Sequence, residues 1–103
     1  MSKVSLIAKL PLQPGKRDDF VAAFTPMMEA VKDEAGTELY ILNFQDDDEN
    51  VVWVYELYTD SDAMAVHSGS EAMAALFGAL GDLLGGAPEL IPCTPHMAEG
   101  VEI

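Results

Sequence analysis

Residues 51–58 read VVWVYELY, and Glu56 is the only position in this stretch that is neither apolar nor aromatic. Because successive side chains of a β-strand point to opposite faces, such a strand carries apolar groups on both faces of its sheet. Trp53 falls on one face and Val54 on the other. A strand of this kind needs cover on both sides, so we predict helices against one face and a second copy of the chain against the other.

Two more strands are predicted before this segment. Residues 4–10 and 39–44 alternate in the period of two that a strand with one buried face requires. The acidic run at 46–50 is interpreted as a solvated hairpin loop that leads into the central strand. A cation site is the alternative interpretation, but the run lacks the spaced ligands and the glycine of a calcium-binding loop.

The first helix is predicted between these two strands. After a turn at residues 13–15, apolar side chains recur at helical spacing from Phe20 to Val31. We expect Pro26 to bend or locally break this helix. Gly36 is expected to end it in the left-handed conformation that favours glycine.

Two further helices are predicted after the central strand. Residues 59–62 and 68–71 each have the spacing of a capping box, in which an oxygen-bearing residue is followed three positions later by an acid. They indicate a short helix that ends near His67 and a longer one over residues 70–84, stopped by the glycine pair at 85–86. The residues that the longer helix is expected to bury are Met73, Leu76, Phe77, Leu80 and Leu84.

The last segment completes the fold. Residues 87–98 contain three prolines, which restrict them to an edge strand or an irregular strand. The order strand, helix, strand, strand, helix, strand describes two split βαβ units with right-handed crossovers. We therefore predict that residues 1–103 form one α+β domain, a ferredoxin-like plait with an antiparallel sheet.

The charge of the chain disfavours several classes of partner. Eighteen Asp and Glu face five Lys and Arg, the formal net charge is −13, and no Lys or Arg follows Lys32. Such a surface repels polyanions, so we predict no nucleic acid and no membrane as partner. A phosphorylated substrate is disfavoured for the same reason, and the acids are interpreted as a source of solubility.

Location and metal binding are predicted from what the sequence contains. The longest nearly uncharged stretch, residues 72–81, is about half of a bilayer span. The first ten residues lack the apolar core of a signal peptide, so a cytoplasmic location is expected. Cys93 is the only cysteine and cannot form an intramolecular disulfide. Cys93 and His96 are too few ligands for a metal site, and no metal is predicted.

Several stretches of the sequence together resemble the antibiotic biosynthesis monooxygenase family. They are residues 14–20 (PGKRDDF), residues 34–36 (EAG) with Tyr40 after them, and residues 55–60 (YELYTD) with the continuation to His67 and Ser70. The resemblance extends over nearly the whole chain. It implies a dimeric α+β barrel, in which the sheets of a homodimer face each other, and a pocket between the sheet and the helices of each subunit.

The resemblance also implies an activity. Members of the family oxygenate phenols, quinols or anthrones with O₂ and without flavin or metal, degrade haem, or process a small signalling sugar. The haem branch is disfavoured, because Ala8, His67 and Phe77 stand where that branch has Asn, Trp and His. A monooxygenase that acts on a small aromatic polyphenol, quinol or anthrone with O₂ is therefore the leading hypothesis, and no cofactor is predicted.

Such a reaction needs a base and a site that excludes water. His67 is the predicted base, because imidazole titrates near neutrality and the resemblance places it at the pocket. The alternative is that His67 only closes the short helix. Glu56 is the second predicted catalytic residue, since a carboxylate in an apolar strand must be paired, neutral or solvated. It could orient His67, or it could bond a backbone N–H or a group of the partner chain.

Flat side chains and one amide are the candidates for binding an aromatic substrate. The predicted substrate-binding residues are Tyr40, Asn43, Trp53, Tyr55, Tyr58 and Phe77. Aromatic residues are also the usual content of a core, and an edge-strand amide such as Asn43 often faces solvent. Two other functions stay open: an isomerase or lyase that uses His67 without O₂ on a small oxygenated metabolite, and a non-catalytic ligand-binding dimer.

Overall fold

The computed structural model describes residues 2–103, which form a four-stranded antiparallel sheet and three helices. The elements are β1 (Val4–Pro11), α1 (Arg17–Val31), β2 (Thr37–Gln45), β3 (Asp48–Tyr58), α2 (Ser61–Ser68), α3 (Glu71–Leu80) and β4 (Glu89–Cys93). The strands lie in the order β2-β3-β1-β4. The predicted α+β ferredoxin-like plait is confirmed, with the proline-containing β4 at one edge of the sheet.

The hydrophobic core lies between one face of the sheet and the helices. Val54 of β3 is paired with Ala8 of β1 and with Leu42 of β2, so the three side chains share the face that packs against α1 and α3. Burying a large apolar side chain contributes about 1.5–3 kcal/mol relative to leaving it exposed. The large helix residues buried in this core include Phe20, Phe24, Met27, Leu76 and Leu80.

Helix α1 ends earlier than predicted. It runs without interruption through Pro26 and stops at Val31, where the amides of Asp33 and Glu34 bond to carbonyls three residues before them. These tight turns direct the chain into β2. Gly36 does not have a positive φ, so the expectation of a left-handed helix cap at this residue is wrong.

Gly36 is needed for close packing instead. A Cβ placed on it would lie 2.4 Å from the Cβ of Ala63 in α2, a separation that real Cβ atoms essentially never show. The carbonyl of Gly36 also accepts a hydrogen bond of 2.9 Å from the amide of Thr59. The loop after α1 and the first turn of α2 are therefore in direct contact.

The end of α3 also differs from the prediction. The helix stops at Leu80 and not at Leu84, because the following residues bond to the end of β1. The amide of Gly85 donates to the carbonyl of Pro11 at 2.9 Å, and Leu84 forms an isolated bridge with Leu12. These bonds to β1 draw the chain away from a helical path.

Phe77 lies on the outer part of α3. The expectation that α3 buries it is wrong, since 56% of the residue is exposed. Its neighbour Leu76 and the residue one turn later, Leu80, are 6% and 5% exposed. The buried stripe of the helix therefore passes beside Phe77, whose side chain lies at the rim of the space between helix and sheet.

The hairpin turn before β3 is shorter than predicted, and the caps of α2 and α3 lie later in the chain than predicted. Only Asp46 and Asp47 of the acidic run form the hairpin turn, because β3 already begins at Asp48. The caps of the two later helices are Asp60 and Ser70, whose side chains accept hydrogen bonds from amides three residues further on. Both caps lie one or two positions after the residues that the capping-box pattern indicated.

The described helices pack against one face of the sheet only. On the other face, which we call the open face, Ile41, Tyr55 and Ile91 are 42%, 45% and 49% exposed. The C-terminal segment approaches this face, where Nζ of Lys3 donates to the carbonyl of Glu102 at 2.6 Å. Across residues 2–103, no helix has both the length and the hydropathy to cross a bilayer.

The Gly36 contact predicts a stability effect. We expect Gly36→Ala to lower the free energy of unfolding by about 1–3 kcal/mol, because the new methyl group must push α2 away from the loop. The control is Gly78→Ala in α3, where a Cβ has no neighbour within 4 Å. Alanine favours a helix over glycine by up to about 1 kcal/mol, so the control should be slightly stabilised. Urea unfolding measures both, and equal stability of Gly36→Ala and the wild type would contradict the steric argument.

Candidate active site

A cavity of about 280 Å³ lies between the sheet and the helices. Strand residues such as Ala8 and Val54 line it from one side, and helix residues such as Phe24 and Leu76 line it from the other. Most of the lining is apolar. The polar side chains among the described lining residues are Tyr40, Glu56, His67 and Ser68. A proton transfer between the protein and a molecule in this cavity has to involve one of these four side chains.

His67 is held in the wall of the cavity by α2. It is 2% exposed, and its Nδ1 lies 2.9 Å from Oε1 of Glu34 in the loop after α1. The close contact between this loop and α2 at Gly36 brings the two residues together. The rings of Tyr40 and Tyr58 pack near the imidazole, with centroids 5.0 and 5.4 Å away. The contact with Glu34 and these two rings hold the imidazole in place.

The other ring nitrogen of His67 is unpaired. Nε2 is buried and has no hydrogen-bond partner within residues 2–103. Its distance to Oε1 of Glu56 is 3.7 Å, which is too long for a hydrogen bond. A carboxylate can only accept a hydrogen bond, so an Nδ1–H of His67 makes the bond to Glu34 when Glu34 is a carboxylate. In the neutral imidazole of this tautomer, Nε2 is a proton acceptor for a molecule in the cavity.

Glu56 is buried beside this histidine. It is 7% exposed, and its Oε1 accepts a hydrogen bond from the phenolic O–H of Tyr58. Burial raises the pKa of Glu56, and the Tyr58 bond and His67 partly oppose this effect. Burial also raises the pKa of Tyr58 and of Tyr40, so both phenols keep their protons at neutral pH. Tyr58 is thus the side chain that provides a hydrogen bond to the buried carboxyl of Glu56.

Five of the eight predicted site residues lie together. His67, Glu56, Tyr40 and Phe77 line the cavity, and Tyr58 contacts both His67 and Glu56. Three of these residues, Tyr40, Glu56 and Tyr58, lie on strands. The alternation of side chains along β2 and β3 places all three on the side of the sheet that faces the helices.

The other three predicted site residues lie on the open face. Trp53 and Tyr55 border a second groove of about 390 Å³ together with the C-terminal segment. The indole N–H of Trp53 donates to Gln45, and the amide of Asn43 donates to the carbonyls of Ile41 and Trp53. The structure therefore does not bring Asn43, Trp53 or Tyr55 to the cavity that contains His67.

Glu34 is the site residue that sequence reasoning did not identify as functional. It orients His67, the role considered for Glu56, and its Oε1 also accepts a hydrogen bond of 2.7 Å from the hydroxyl of Thr37. In the sequence, Glu34 stands out only as part of the EAG stretch. It is 33 positions away from His67, so no local spacing indicates the contact.

The arrangement places the imidazole of His67, a possible base, at an apolar cavity. A neutral imidazole whose Nδ1–H is held by a carboxylate can take a proton at Nε2, and the carboxylate stabilises the imidazolium that results. Among residues 2–103, His, Cys, Asp and Glu side chains do not cluster in threes in a way that could hold a metal ion. The chemistry that this geometry supports directly is proton transfer.

Comparison with known proteins identifies relatives of the chain. The sequence profile of the antibiotic biosynthesis monooxygenase family matches residues 3–79. No protein with curated information matches significantly.

Several solved structures share the fold. A Caulobacter crescentus protein provisionally named an antibiotic biosynthesis monooxygenase is 30% identical, with 93% of this chain and 92% of that chain covered and a TM-score of 0.88. Rv0793 from Mycobacterium tuberculosis is 24% identical over 97% of this chain and 100% of its own, with a TM-score of 0.87. PA3566 from Pseudomonas aeruginosa is 18% identical over 94% and 97%, with a TM-score of 0.85. The last two similarities concern the fold alone.

The buried Glu56 carboxyl predicts a pH-dependent stability. Its pKa is raised by folding, so its stabilising contribution is complete below its ordinary value near 4.5 and is lost as the pH rises through the folded value. Glu56→Gln keeps an acceptor for Tyr58 and does not titrate. From pH 4.5 to 8, the unfolding free energy of the wild type should therefore fall relative to that of Glu56→Gln.

Denaturant unfolding at a series of pH values measures this difference. The matched control is Glu49→Gln, because Glu49 lies on the same strand and is exposed. The difference between wild type and this control should change little with pH. A parallel pH dependence for the two variants would contradict the assignment of the effect to Glu56.

Proposed function

Because the chain belongs to the antibiotic biosynthesis monooxygenase family, we propose that it is a monooxygenase acting on a small aromatic polyphenol, quinol or anthrone. It uses O₂ directly and needs no cofactor. His67 is the base, and Glu34, Glu56 and the surrounding aromatic side chains complete the site. The observation that carries this proposal is the buried, unpaired Nε2 of His67 at an apolar cavity.

The first step is removal of a proton from the substrate. Nε2 of His67 takes it from a phenolic hydroxyl or from the activated ring carbon, and Glu34 stabilises the resulting imidazolium through Nδ1. The substrate becomes an electron-rich anion at the carbon that is to be oxidised. The imidazolium beside it compensates the new negative charge, which lowers the barrier to its formation.

The second step consumes O₂. The anion donates electrons to O₂, and a C–O bond forms to give a hydroperoxide at the ring carbon. The O–O bond then breaks: one oxygen stays on the carbon as a carbonyl, and the other leaves as water with protons that came from the substrate. The substrate supplies all the electrons, so no flavin or metal is required to balance the reaction.

The apolar walls support both steps. Phe24, Leu76 and Leu80 bound the space beside Tyr40, and these surfaces exclude water from a reactive anion. The exposed ring of Phe77 at the rim is suited to stack on a flat substrate as it enters. Tyr58 keeps the Glu56 carboxyl hydrogen-bonded, which limits competition between Glu56 and the substrate for Nε2.

We also propose that the protein is a homodimer joined through the open face. Apolar side chains of three different strands are exposed there, Ile41, Tyr55 and Ile91. A second sheet packed against this face would remove them from water and give the dimeric α+β barrel. The cavity with His67 lies on the opposite side of the sheet and would remain accessible in both subunits.

Oxygen uptake tests the enzymatic proposal. The chelator-treated protein is incubated with 1,4-dihydroxynaphthalene, anthrone and related hydroquinones, and O₂ consumption is followed against the uncatalysed rate. Uptake should scale with protein concentration, and His67→Ala should lower it by about 10²–10⁴-fold, the usual contribution of a positioned base. The control is His96→Ala, an exposed histidine in the C-terminal segment, which should keep wild-type activity.

Other outcomes point to other functions. Turnover without O₂ consumption would replace the monooxygenase by an isomerase or lyase that uses the same base. Binding without turnover would favour a ligand-binding dimer. Full activity of His67→Ala on a confirmed substrate would remove His67 as the base.

Light scattering tests the dimer. The expected mass is twice the chain mass of 11.1 kDa at micromolar concentration. Ile41→Asp places a charge on the open face and should shift the protein toward the monomer. Val66→Asp adds the same charge at a residue of α2 that is 65% exposed, and it should leave the dimer intact. A monomeric wild type, or equal masses for the two variants, would contradict the proposed interface.

A further inference from the structure

The polar group beside the cavity contains more acidic than basic side chains. Two carboxyl groups approach the imidazole of His67, Glu34 at 2.9 Å and Glu56 at 3.7 Å. Lys and Arg are absent from the described residues that line the cavity. With Glu34 as a carboxylate, the group is negative when the imidazole is neutral, and it has no excess positive charge when the imidazole is protonated. An anion that enters the cavity therefore finds no cation in excess to replace its hydration.

One hydrogen-bond acceptor among these polar side chains has no partner. Nε2 of His67 is buried without a partner in the described part of the chain, and leaving a buried polar atom unpaired is costly. A ligand hydroxyl that donates to Nε2 would remove this cost. The rest of the lining, including Phe24, Leu76 and Leu80, accepts an apolar body. A ligand with one hydroxyl donor on an apolar framework matches both requirements.

The volume of the cavity limits the size of that framework. At about 280 Å³ it lies just below the range of small-molecule pockets, roughly 300–1,000 Å³. The strand side includes the small side chains of Ala8 and Val54, and the helix side includes the ring of Phe24. A compact, flat ligand suits this space better than an extended one.

We propose that the cavity selects an uncharged hydroxyl compound built on a compact aromatic ring system, and that Glu34 is the positioning residue that enforces this choice. The inference deepens the proposed function and rests on its site, but it does not depend on reaction with O₂. Glu34 acts in two ways. It holds the proton on Nδ1 so that Nε2 accepts the ligand hydroxyl, and its charge opposes anionic ligands.

Binding under anaerobic conditions tests the selection without catalysis. The probes are 2-naphthol, 2-methoxynaphthalene and 2-naphthoate, which share a ring system and differ in the group offered to His67. By calorimetry at pH 7, 2-naphthol should bind at least ~10-fold more tightly than the methoxy compound, which has no proton to donate. It should also bind at least ~10-fold more tightly than the carboxylate, which brings an uncompensated charge.

A matched pair of variants tests the role of Glu34. Glu34→Gln keeps the size of the side chain and removes its charge, so the preference for 2-naphthol over 2-naphthoate should fall by about 10-fold or more. Glu29→Gln removes a charge of the same sign from an exposed position on α1 and should leave the preference unchanged. Circular dichroism of both variants checks that each is folded, and the wild-type comparison of the three probes needs no variant.

Three results would overturn the proposal. They are equal affinity of the wild type for 2-naphthol and 2-naphthoate, no binding of 2-naphthol, or the same selectivity in Glu34→Gln and Glu29→Gln. The proposed oxygenation fails by a different result, the lack of protein-dependent O₂ uptake. Selective binding of 2-naphthol without O₂ uptake would keep the present inference and remove the oxygenase.

Discussion

Strand β3 must bury apolar side chains on both of its faces, and the rest of the structure follows from this constraint. On one face, α1 and α3 cover Val52 and Val54, which are almost completely buried. On the other, Trp53 and Tyr55 lie on a surface that the helices do not reach. The hydrophobic effect scales with the area removed from water, so a two-sided strand favours cover from a second sheet. The fold of one subunit and the proposed association of two thus have the same physical origin.

The candidate site is the place where polar groups interrupt this apolar interior. Burying a carboxyl and an imidazole without partners costs several kcal/mol, so their hydrogen bonds determine how the site is built. Tyr58 satisfies Glu56 from two positions along the same strand, and Glu34 satisfies Nδ1 of His67 from a different loop. One acceptor, Nε2, is left over. The unpaired Nε2 therefore characterises the site as much as the hydrogen bonds of Glu56 and of Nδ1 do.

The family relationship and the site contribute different parts of the functional argument. A fold shared with TM-scores of 0.85 to 0.88 at identities from 18% to 30% demonstrates a common architecture. Architecture alone does not determine which reaction is catalysed, because one fold can carry unrelated chemistries. The charge, the volume and the single open acceptor of this cavity are properties of its own side chains. They restrict the candidate ligands more narrowly than membership of the family does.

The amino-acid sequence by itself determined the order of strands and helices and the buried character of β3, because these features depend on local periodicity. Glu56 stood out as the carboxylate of an apolar strand, whereas the family resemblance indicated that His67 lies at the pocket. The ends of α1 and α3 were predicted too late, because hydrogen bonds in turns and to β1 compete with continuation of the helix. Helical spacing indicates which side of α3 is buried, but it does not indicate how wide the buried stripe is. The sequence therefore did not predict the exposure of Phe77.

Only the tertiary structure decided which aromatic residues belong to the cavity and which residue holds the histidine. Alternation along β3 separates Trp53 and Tyr55 from Glu56, but it does not say which face the helices cover. The bond between Glu34 and His67 joins a loop to a helix 33 residues away, and it exists because Gly36 lets α2 approach that loop closely. Contacts of this kind depend on how elements pack, and no local pattern in the chain encodes them.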